Sequence, residues 1–550
     1  MAVVTFSKKL FEREIGRLDS KMQNKIAMFG TPVEEITSEE IQIEVFPNRP
    51  DLLSYHGFKR SFKAFLGKKV GLKRYVLGPP EKDYDVIIDS SVKGIRPYTA
   101  CAIVRGLKLD DEKIKELVEI QEKLHLTVGR KRKKVAIGIY PLEKIKLPIT
   151  FKALEPDKIK FVPLEMDREL SGLEILQRHP AGKEYASLLA GKTKFPIFID
   201  ASKQILSMPP VINSQLTGKI TTKTKDVFIE CSGFDMEILK TSLNILVTSM
   251  AEMGGKIYQM RLRYGIGSKK EITPDLNPKK KKISLESTNK LLGINLKEKQ
   301  IKELLEKMGH DYKEGTVEIP AWRTDILHEV DLIEDVAIAY GYENFTPEIP
   351  EISTIGEEDK KETLKRKFSE ILSGLGMIEV SNYHLTHKRD QMEKMNQNEK
   401  QKDFIELEES KTEFKVLREN LSHFLMKNLS ENIDSEYPQK IFEIGKVFSN
   451  DNGLNEKEML AAAVTPGNFT EAKQVLDHFS KMTGIDFSLK EAEVNGSHFI
   501  SGRIAEIVFK GKVIGFIGEI HPKILKNWRI KMPVSLFEIE IEEIFEELIR

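Results

Sequence analysis

The stretch Ala321–Phe345, AWRTDILHEVDLIEDVAIAYGYENF, is the most informative in the chain. It places Asp325, Asp331, Glu334 and Asp335 close together. From Val330 the apolar positions Val330, Ile333, Val336, Ala337 and Tyr340 recur every three or four residues, which predicts a helix. At that period Asp331, Glu334 and Asp335 share one face as i, i+3 and i+4, and such like charges repel by roughly a few tenths of a kcal/mol per pair. Solvent, a basic partner or a hard cation must offset that repulsion. Mg²⁺ keeps several waters and takes one or two carboxylates, so three acids on one helical face can hold it, with Asp325 reaching in from the preceding loop. A solvated acidic face that salt-bridges a partner has the same spacing, and spacing alone favours it.

Upstream, the basic run Lys279–Lys282 is expected to precede a short strand, and Leu292, Leu296, Ile301, Leu304 and Leu305 predict a helix ending near Gly309. Residues 270–347 read as one domain. The proline- and acid-rich segment 347–358 reads as a linker. Beyond it, residues 353–550 begin with a helix over Lys360–Leu375. A helix around Leu417–Leu429, a strand at Ile441–Ile444 and a hairpin turning at Lys510-Gly511 follow. Toward the N-terminus, residues 1–85 mix strand and helix signals, with a turn at Phe46–Asp51 and a boundary signal at Gly78-Pro79-Pro80. Residues 86–265 are strand-rich, with helices predicted over Asp110–Leu126 and Phe234–Met253. The mixed order predicts an α+β multidomain protein.

A chain of 550 residues accommodates several domains, and 86 basic against 85 acidic residues leave no global field that draws it to nucleic acid. Two cysteines, Cys101 and Cys231, favour a reducing compartment and cannot make a zinc site. No signal-peptide pattern or long apolar run stands out, so a soluble intracellular protein is expected.

Three further constellations stand out. In Leu206-Ser207-Met208-Pro209-Pro210-Val211-Ile212-Asn213-Ser214 the two prolines pin the backbone just after Ser207, which either presents its hydroxyl to a ligand or belongs to a rigid turn. Glu230, Ser232 and Asp235 surround Gly233 at a strand end, as site residues or as caps of the helix that follows. Arg130–Lys134 is a run of five cations, suited to phosphate contact or to a solvated loop. Neither basic run interleaves aromatics, and no phosphate-binding glycine loop is present.

Taken in order, several segments resemble the β subunit of phenylalanyl-tRNA synthetase in its archaeal and eukaryotic form. They are Asn48-Arg49-Pro50-Asp51-Leu52-Leu53-Ser54, Gly94-Ile95-Arg96-Pro97-Tyr98, Ser207-Met208-Pro209-Pro210, Trp322-Arg323-Thr324-Asp325-Ile326, Phe442-Glu443-Ile444-Gly445 and Gly518-Glu519-Ile520-His521-Pro522. The resemblance implies a tRNA-editing (B3/B4) domain over 86–265, a B5 domain over 270–347 and a catalytically inactive, class II synthetase-like antiparallel sheet domain over 353–550. It implies a cytoplasmic α₂β₂ heterotetramer that charges tRNA(Phe), with ATP and phenylalanine bound by the α subunit. Where a class II core carries an arginine for the α-phosphate, this chain has Glu443, whose carboxylate is expected to repel ATP. By motif position, Phe198, Ser207, Glu230 and Ser232 match the family's editing pocket for tyrosyl-tRNA(Phe). Glu230 is then expected to accept the tyrosine hydroxyl proton, and Ser207 to orient the ester or a water. Asp325, Asp331, Glu334 and Asp335 match the family's Mg²⁺ ligands. The segment Cys231–Asp235 departs from the family's usual Thr-Gly-Thr-Asp, with Phe234 where a hydroxyl is common. That departure leaves open a non-editing assembly scaffold, and a free-standing RNA-binding or trans-editing protein is a further alternative.

Overall fold

The computed structural model describes residues 2–265, 270–397, 404–408, 410, 412–450, 453–492 and 498–549. The chain divides between Ile349 and Pro350, inside the proline-rich segment, into two units.

The first unit opens with a three-stranded antiparallel sheet in which Glu40–Val45 lies between Ala2–Ser7 and Val33–Ile36. Ile41, Ile43 and Val45 point inward in the alternation their spacing predicts. The helix Tyr55–Phe65 is capped by Ser54 and followed by Gly67 at φ +74°, a conformation that glycine adopts without steric cost. Its Phe58 and Phe62 stack at 5.1 Å in a core shared with the strand-rich region that follows. The residues before and after the Gly78-Pro79-Pro80 signal are thus one packed body, and Leu77–Gly78 itself pairs with the strand Lys256–Tyr264.

The main sheet of this unit follows the order Ile212–Asn213, Ile205–Met208, Phe195–Ile199, Ile149–Leu154, Asp85–Ile88, Lys256–Tyr264, Tyr98–Arg105, Val227–Gly233, Val135–Pro141. Val227–Gly233 is buried along its whole length. Val227, Ile229 and Cys231 face the core under the apolar helix Met236–Glu252, while Phe228 faces a second core on the other side. The period of two therefore sends Glu230 and Ser232 to the face opposite the helix.

Residues 279–319 form a three-stranded sheet with Thr316–Ile319 in the centre. Lys279–Lys282 does not precede a strand; it is the edge strand, where charged side chains can stay in water and discourage pairing with another chain. The predicted helix around 292–305 is two helices, Leu285–Leu292 and Glu298–Lys307, with Gly293 at φ +67° between them. The acidic helix runs from Glu329 to Tyr340.

The second unit is a seven-stranded sheet, antiparallel except for Ile378–Glu379 beside Gln439–Ser449. Alternate residues of its strands feed two cores, Phe442, Leu460 and Phe537 on one face and Ile441, Ala461 and Leu536 on the other. The hairpin turn at Lys510-Gly511 has φ of +49° and +81°, the pair of left-handed residues that matches the twist of two antiparallel strands. The expected helix from Leu417 starts later, at Ser422, because Val416–Leu417 pairs with Leu385–Thr386. Among the described residues no helix is long and apolar enough to cross a membrane.

Candidate functional site

Glu230 sits in mid-strand, opposite Gly138 on one side and Cys101 on the other. It is 2 % exposed, and burial pushes its carboxyl up to about 8 against the opposing pull of Arg96, Tyr140 and Ser232. Gly138 is what makes room. A β-carbon there would stand 2.1 Å from the Tyr140 hydroxyl oxygen and 2.7 Å from Glu230 Oε1, so no other residue type fits unchanged.

The Tyr140 hydroxyl lies 2.7 Å from Ser207 Oγ, 3.3 Å from Asn213 Oδ1 and 3.3 Å from Glu230 Oε1. Ser207 is 1 % exposed and stands across from Phe198, whose ring stacks on Phe151 at 4.3 Å. Ser232 does not cap the following helix; Asp235 does, accepting from the backbone N–H groups of Glu237 and Ile238. The Ser232 hydroxyl instead accepts from Arg96 Nε at 3.1 Å, and Arg96 Nη2 donates to the Ser232 carbonyl at 2.5 Å. Burial pushes the Arg96 guanidinium down to about 10. Phe234 is exposed, with Arg96 5.5 Å from its ring centre.

Three of the four expected residues, Phe198, Ser207 and Glu230, thus converge with Tyr140, while Ser232 is held beside them by Arg96. Asn213 entered the sequence reading only as part of the Leu206–Ser214 stretch, and Tyr140 and Gly138 escaped it. The signal for them was a glycine inside the strand pattern Val135–Pro141, which marks a close approach. Glu230 Oε2 is buried and has no hydrogen-bond partner among the described residues. An unpaired buried carboxylate oxygen in a native fold calls for an explanation, and a ligand hydroxyl supplies one.

Of the basic run, Arg132 is committed to the fold. It donates to the Val211 carbonyl at 2.8 Å and to Glu122 at 3.0 Å, and lies 4.4 Å from the Tyr185 ring centre.

The four acids near 330 have separate surroundings. Arg323 donates to both oxygens of Asp325, at 2.8 and 2.7 Å, and to Asp335 at 2.9 Å. Asp335 also takes His310 Nε2 at 2.7 Å; burial raises its carboxyl, but Arg323 and His310 prevail and hold it at about 2. Asp331 accepts at 2.6 Å from the backbone N–H groups of Leu327 and His328 and so caps the helix. Glu334 is exposed, and its side chain carries no hydrogen bond or ion pair among the described residues; loss of part of its hydration, then Asp335, Asp331 and Asp325, raise its carboxyl. Among the described residues no group of three or more His, Cys, Asp or Glu side chains gathers as a ligand set.

The same loop meets the N-terminal motif. Arg49 grips Asp51 through two bonds of 2.9 Å, and Thr324 donates to the Asn48 carbonyl. Burial raises the Asp51 carboxyl, but Arg49, with help from Arg323 and Arg60, holds it below its ordinary value. In the second unit Glu443 is not left facing a ligand. Arg418 donates to it at 2.5 Å, and both side chains are buried.

Comparison with known proteins assigns the regions that carry these residues. Residues 92–253 match the B3/4 domain, 281–342 the tRNA synthetase B5 domain and 346–541 the phenylalanyl tRNA synthetase beta chain CLM domain. The phenylalanine–tRNA ligase beta subunit of Thermococcus sibiricus is 42% identical over 503 residues, covering 90% of this chain and 88% of that one. That of Archaeoglobus fulgidus is 38% identical over 558 residues and covers 99% of each. A crystal structure of an N-terminal fragment of the phenylalanyl-tRNA synthetase beta subunit from Pyrococcus horikoshii is 40% identical. It superposes with a TM-score of 0.58 over 62% of this chain and 99% of the fragment. With three domain models in order and relatives of this identity along nearly the whole length, the chain belongs to the archaeal family of phenylalanyl-tRNA synthetase β subunits.

Proposed function

We propose that the B3/4 region hydrolyses tyrosine wrongly esterified to tRNA(Phe), within a class II α₂β₂ complex whose α subunit binds ATP and phenylalanine and charges the tRNA. The observation that carries this is the unpaired, buried Glu230 Oε2 beside the Tyr140–Ser207 pair. A pocket for phenylalanine rejects an added hydroxyl only weakly, whereas a site built to bond that hydroxyl rejects the analogue lacking it far more strongly. Glu230 as carboxylate takes the phenol O–H, and phenylalanine offers none. Phe198 and Phe151 form an apolar wall. Tyr140 can donate to Ser207, leaving the Ser207 hydroxyl hydrogen free to orient a water or the ester carbonyl. Arg96 fixes Ser232 and lends positive charge near Glu230.

Mg²⁺ suits Glu334, whose unpartnered carboxylate is crowded by like charges, together with the helix-capping Asp331. Such an ion keeps most of its waters and needs only one or two carboxylates. Asp325 and Asp335 then contribute field rather than direct ligation, because Arg323 already engages both. When bound, the ion supplies charge that an α partner can share. The second unit is read as a class II-like domain without synthetic activity, since the Glu443–Arg418 pair fills the place of a phosphate-binding arginine. The setting is the cytoplasm, and the proposed regions are 1–85, 86–265, 270–347 and 353–550, the first two packed as one body.

The test is deacylation of tyrosyl-tRNA(Phe) by the assembled complex. Ser207→Ala and Glu230→Ala are expected to slow it, and unchanged rates in both remove these residues from the site. The chain without α is expected to form no phenylalanyl-AMP.

A further inference from the structure

We propose that the cavity walled by the helix Tyr55–Phe65, the segment Lys69–Lys73 and the loop at Trp322 binds a phosphate group. Its volume, about 370 Å³, falls in the range of about 300–1,000 Å³ usual for small-ligand sites. Six side chains on its wall are cationic, namely Lys59, Arg60, Lys63, Lys69, Lys73 and Arg323, against one carboxylate, Glu252. That carboxylate is already engaged by Lys73 at 2.5 Å and by the Tyr75 hydroxyl, and Lys59 is paired with Glu14 at 2.8 Å.

Four cations remain with bonding capacity to spare. Arg60 donates to Tyr75 at 3.1 Å through Nη1, but its Nε and Nη2 are buried without partners among the described residues. Arg323 is 5 % exposed and holds Asp325 and Asp335, yet its Nη1 is likewise buried and unpaired. The Lys63 and Lys69 ammonium groups carry no hydrogen bond or ion pair among the described residues, though the Lys63 carbonyl accepts from the Lys69 backbone N–H. A buried N–H without an acceptor is costly, so these three guanidinium nitrogens mark a place where an acceptor belongs. The Trp322 ring, 4.2 Å from the Arg60 guanidinium carbon, keeps that side chain extended and in place.

The chemistry favours phosphate over a carboxylate. Phosphate brings more charge and more acceptor oxygens, which suits guanidinium and ammonium donors arriving from separate elements. Burial lowers the Lys63 ammonium, and Lys59, Lys69 and Lys68 lower it further, a crowding that a bound anion relieves. The phosphate can come from a free nucleotide or from an RNA backbone. The site shares no residue with the editing pocket and stands or falls independently of it.

The experiment uses the full chain. Inorganic phosphate and AMP are titrated against tryptophan fluorescence, which Trp322 reports at the cavity wall. Uncharged tRNA(Phe) is titrated in parallel at several salt concentrations. Wild type is compared with Lys63→Glu/Lys69→Glu and with the milder Lys63→Gln/Lys69→Gln, each checked for an unchanged melting curve. A saturable phosphate or AMP response whose midpoint rises at least tenfold in the charge-reversed variant establishes a free-ligand site. No response to either, with weaker tRNA binding and a salt slope shallower by about 1 for each lysine neutralised, assigns the cavity to a backbone phosphate. Titrations that are the same in the variants as in wild type overturn the proposal.

Discussion

The Tyr140 hydroxyl stands 2.7 Å from Ser207 Oγ although the two residues occupy strands near opposite ends of the main sheet. Val135–Pro141 is the last strand in the order and Ile205–Met208 the second, so the sheet curls until its margins face each other. Arg132 makes the same crossing when it donates to the Val211 carbonyl at 2.8 Å. The candidate site is the line along which these margins meet.

Tyr140→Phe keeps the ring and deletes the group that touches Ser207, Asn213 and Glu230. Loss of one buried hydrogen-bonding group costs about 1–3 kcal/mol, so hydrolysis of tyrosyl-tRNA(Phe) is expected to slow about tenfold to a hundredfold. Phenylalanine charging by the complex should be unaffected. Equal deacylation rates would remove Tyr140 from the chemistry.

The pH dependence follows from Glu230, whose ordinary value of 4.5 is raised to about 8 in the fold. Preference for tyrosyl over phenylalanyl ester is expected to strengthen as pH rises through about 8, where the carboxylate form becomes dominant. Stability moves the other way. Between these two values the folded chain binds this proton more tightly than the unfolded chain. The contribution is therefore full below pH 4.5 and is lost as pH rises through about 8. Glu230→Gln should flatten both dependences, read as a deacylation profile and as melting temperatures on either side of that window. A variant with wild-type slopes in both would contradict the assignment.

Gly138→Ala tests the packing that holds Tyr140. The added carbon would sit 2.1 Å from the Tyr140 hydroxyl oxygen, so that ring or the strand must shift. Overpacking of this kind costs about 1–3 kcal/mol. Editing is expected to fall at least as far as in Tyr140→Phe, with a lower melting temperature. Unaltered values of both would mean that the two strands yield more easily than their burial suggests.

Asp335 and Glu334 should separate structure from ion binding. Asp335→Asn leaves the buried Arg323 and His310 facing a neutral amide and is expected to destabilise the B5 region by a few kcal/mol, on the scale of about 3–5 kcal/mol for breaking a buried pair. Glu334→Gln should leave stability nearly unchanged while weakening the Mg²⁺ dependence of association with α, and Asp331→Ala should do so as well. Calorimetry and subunit co-purification at graded Mg²⁺ distinguish them, and a reversed pattern would exchange their roles.

Arg418→Met is expected to destabilise the second unit by about 3–5 kcal/mol, because Glu443 would be left buried and charged. Adding Glu443→Leu should recover much of the loss in urea unfolding. Additive losses in the double variant would show that the two side chains act separately.

Much of this was legible in the chain. The spacing of Val330, Ile333, Val336 and Ala337 placed the acidic helix, and the Lys510-Gly511 dipeptide placed a hairpin, because both signals are local. Ser207 and Glu230 were reached through their motifs. Tyr140 was not, since Gly138 marks a close approach there without naming a partner 67 positions away. Glu443 was expected to repel ATP, yet its charge is matched by Arg418, which comes from another strand-loop segment. Lys279–Lys282 looked like a solvated lead-in and is itself a strand, because an edge position tolerates four lysines where a central one would not. In each case the missing information was long-range pairing, which local propensity does not encode.

The curled sheet also makes the candidate site a product of long-range closure. The bonds across its meeting margins close chain segments of 67 and 79 residues, so forming them carries the entropy cost of large loops. The groups proposed to hydrolyse the ester therefore depend on the whole sheet for their proximity. A partly unfolded chain carries Glu230, Tyr140 and Ser207 but not the pocket proposed for them.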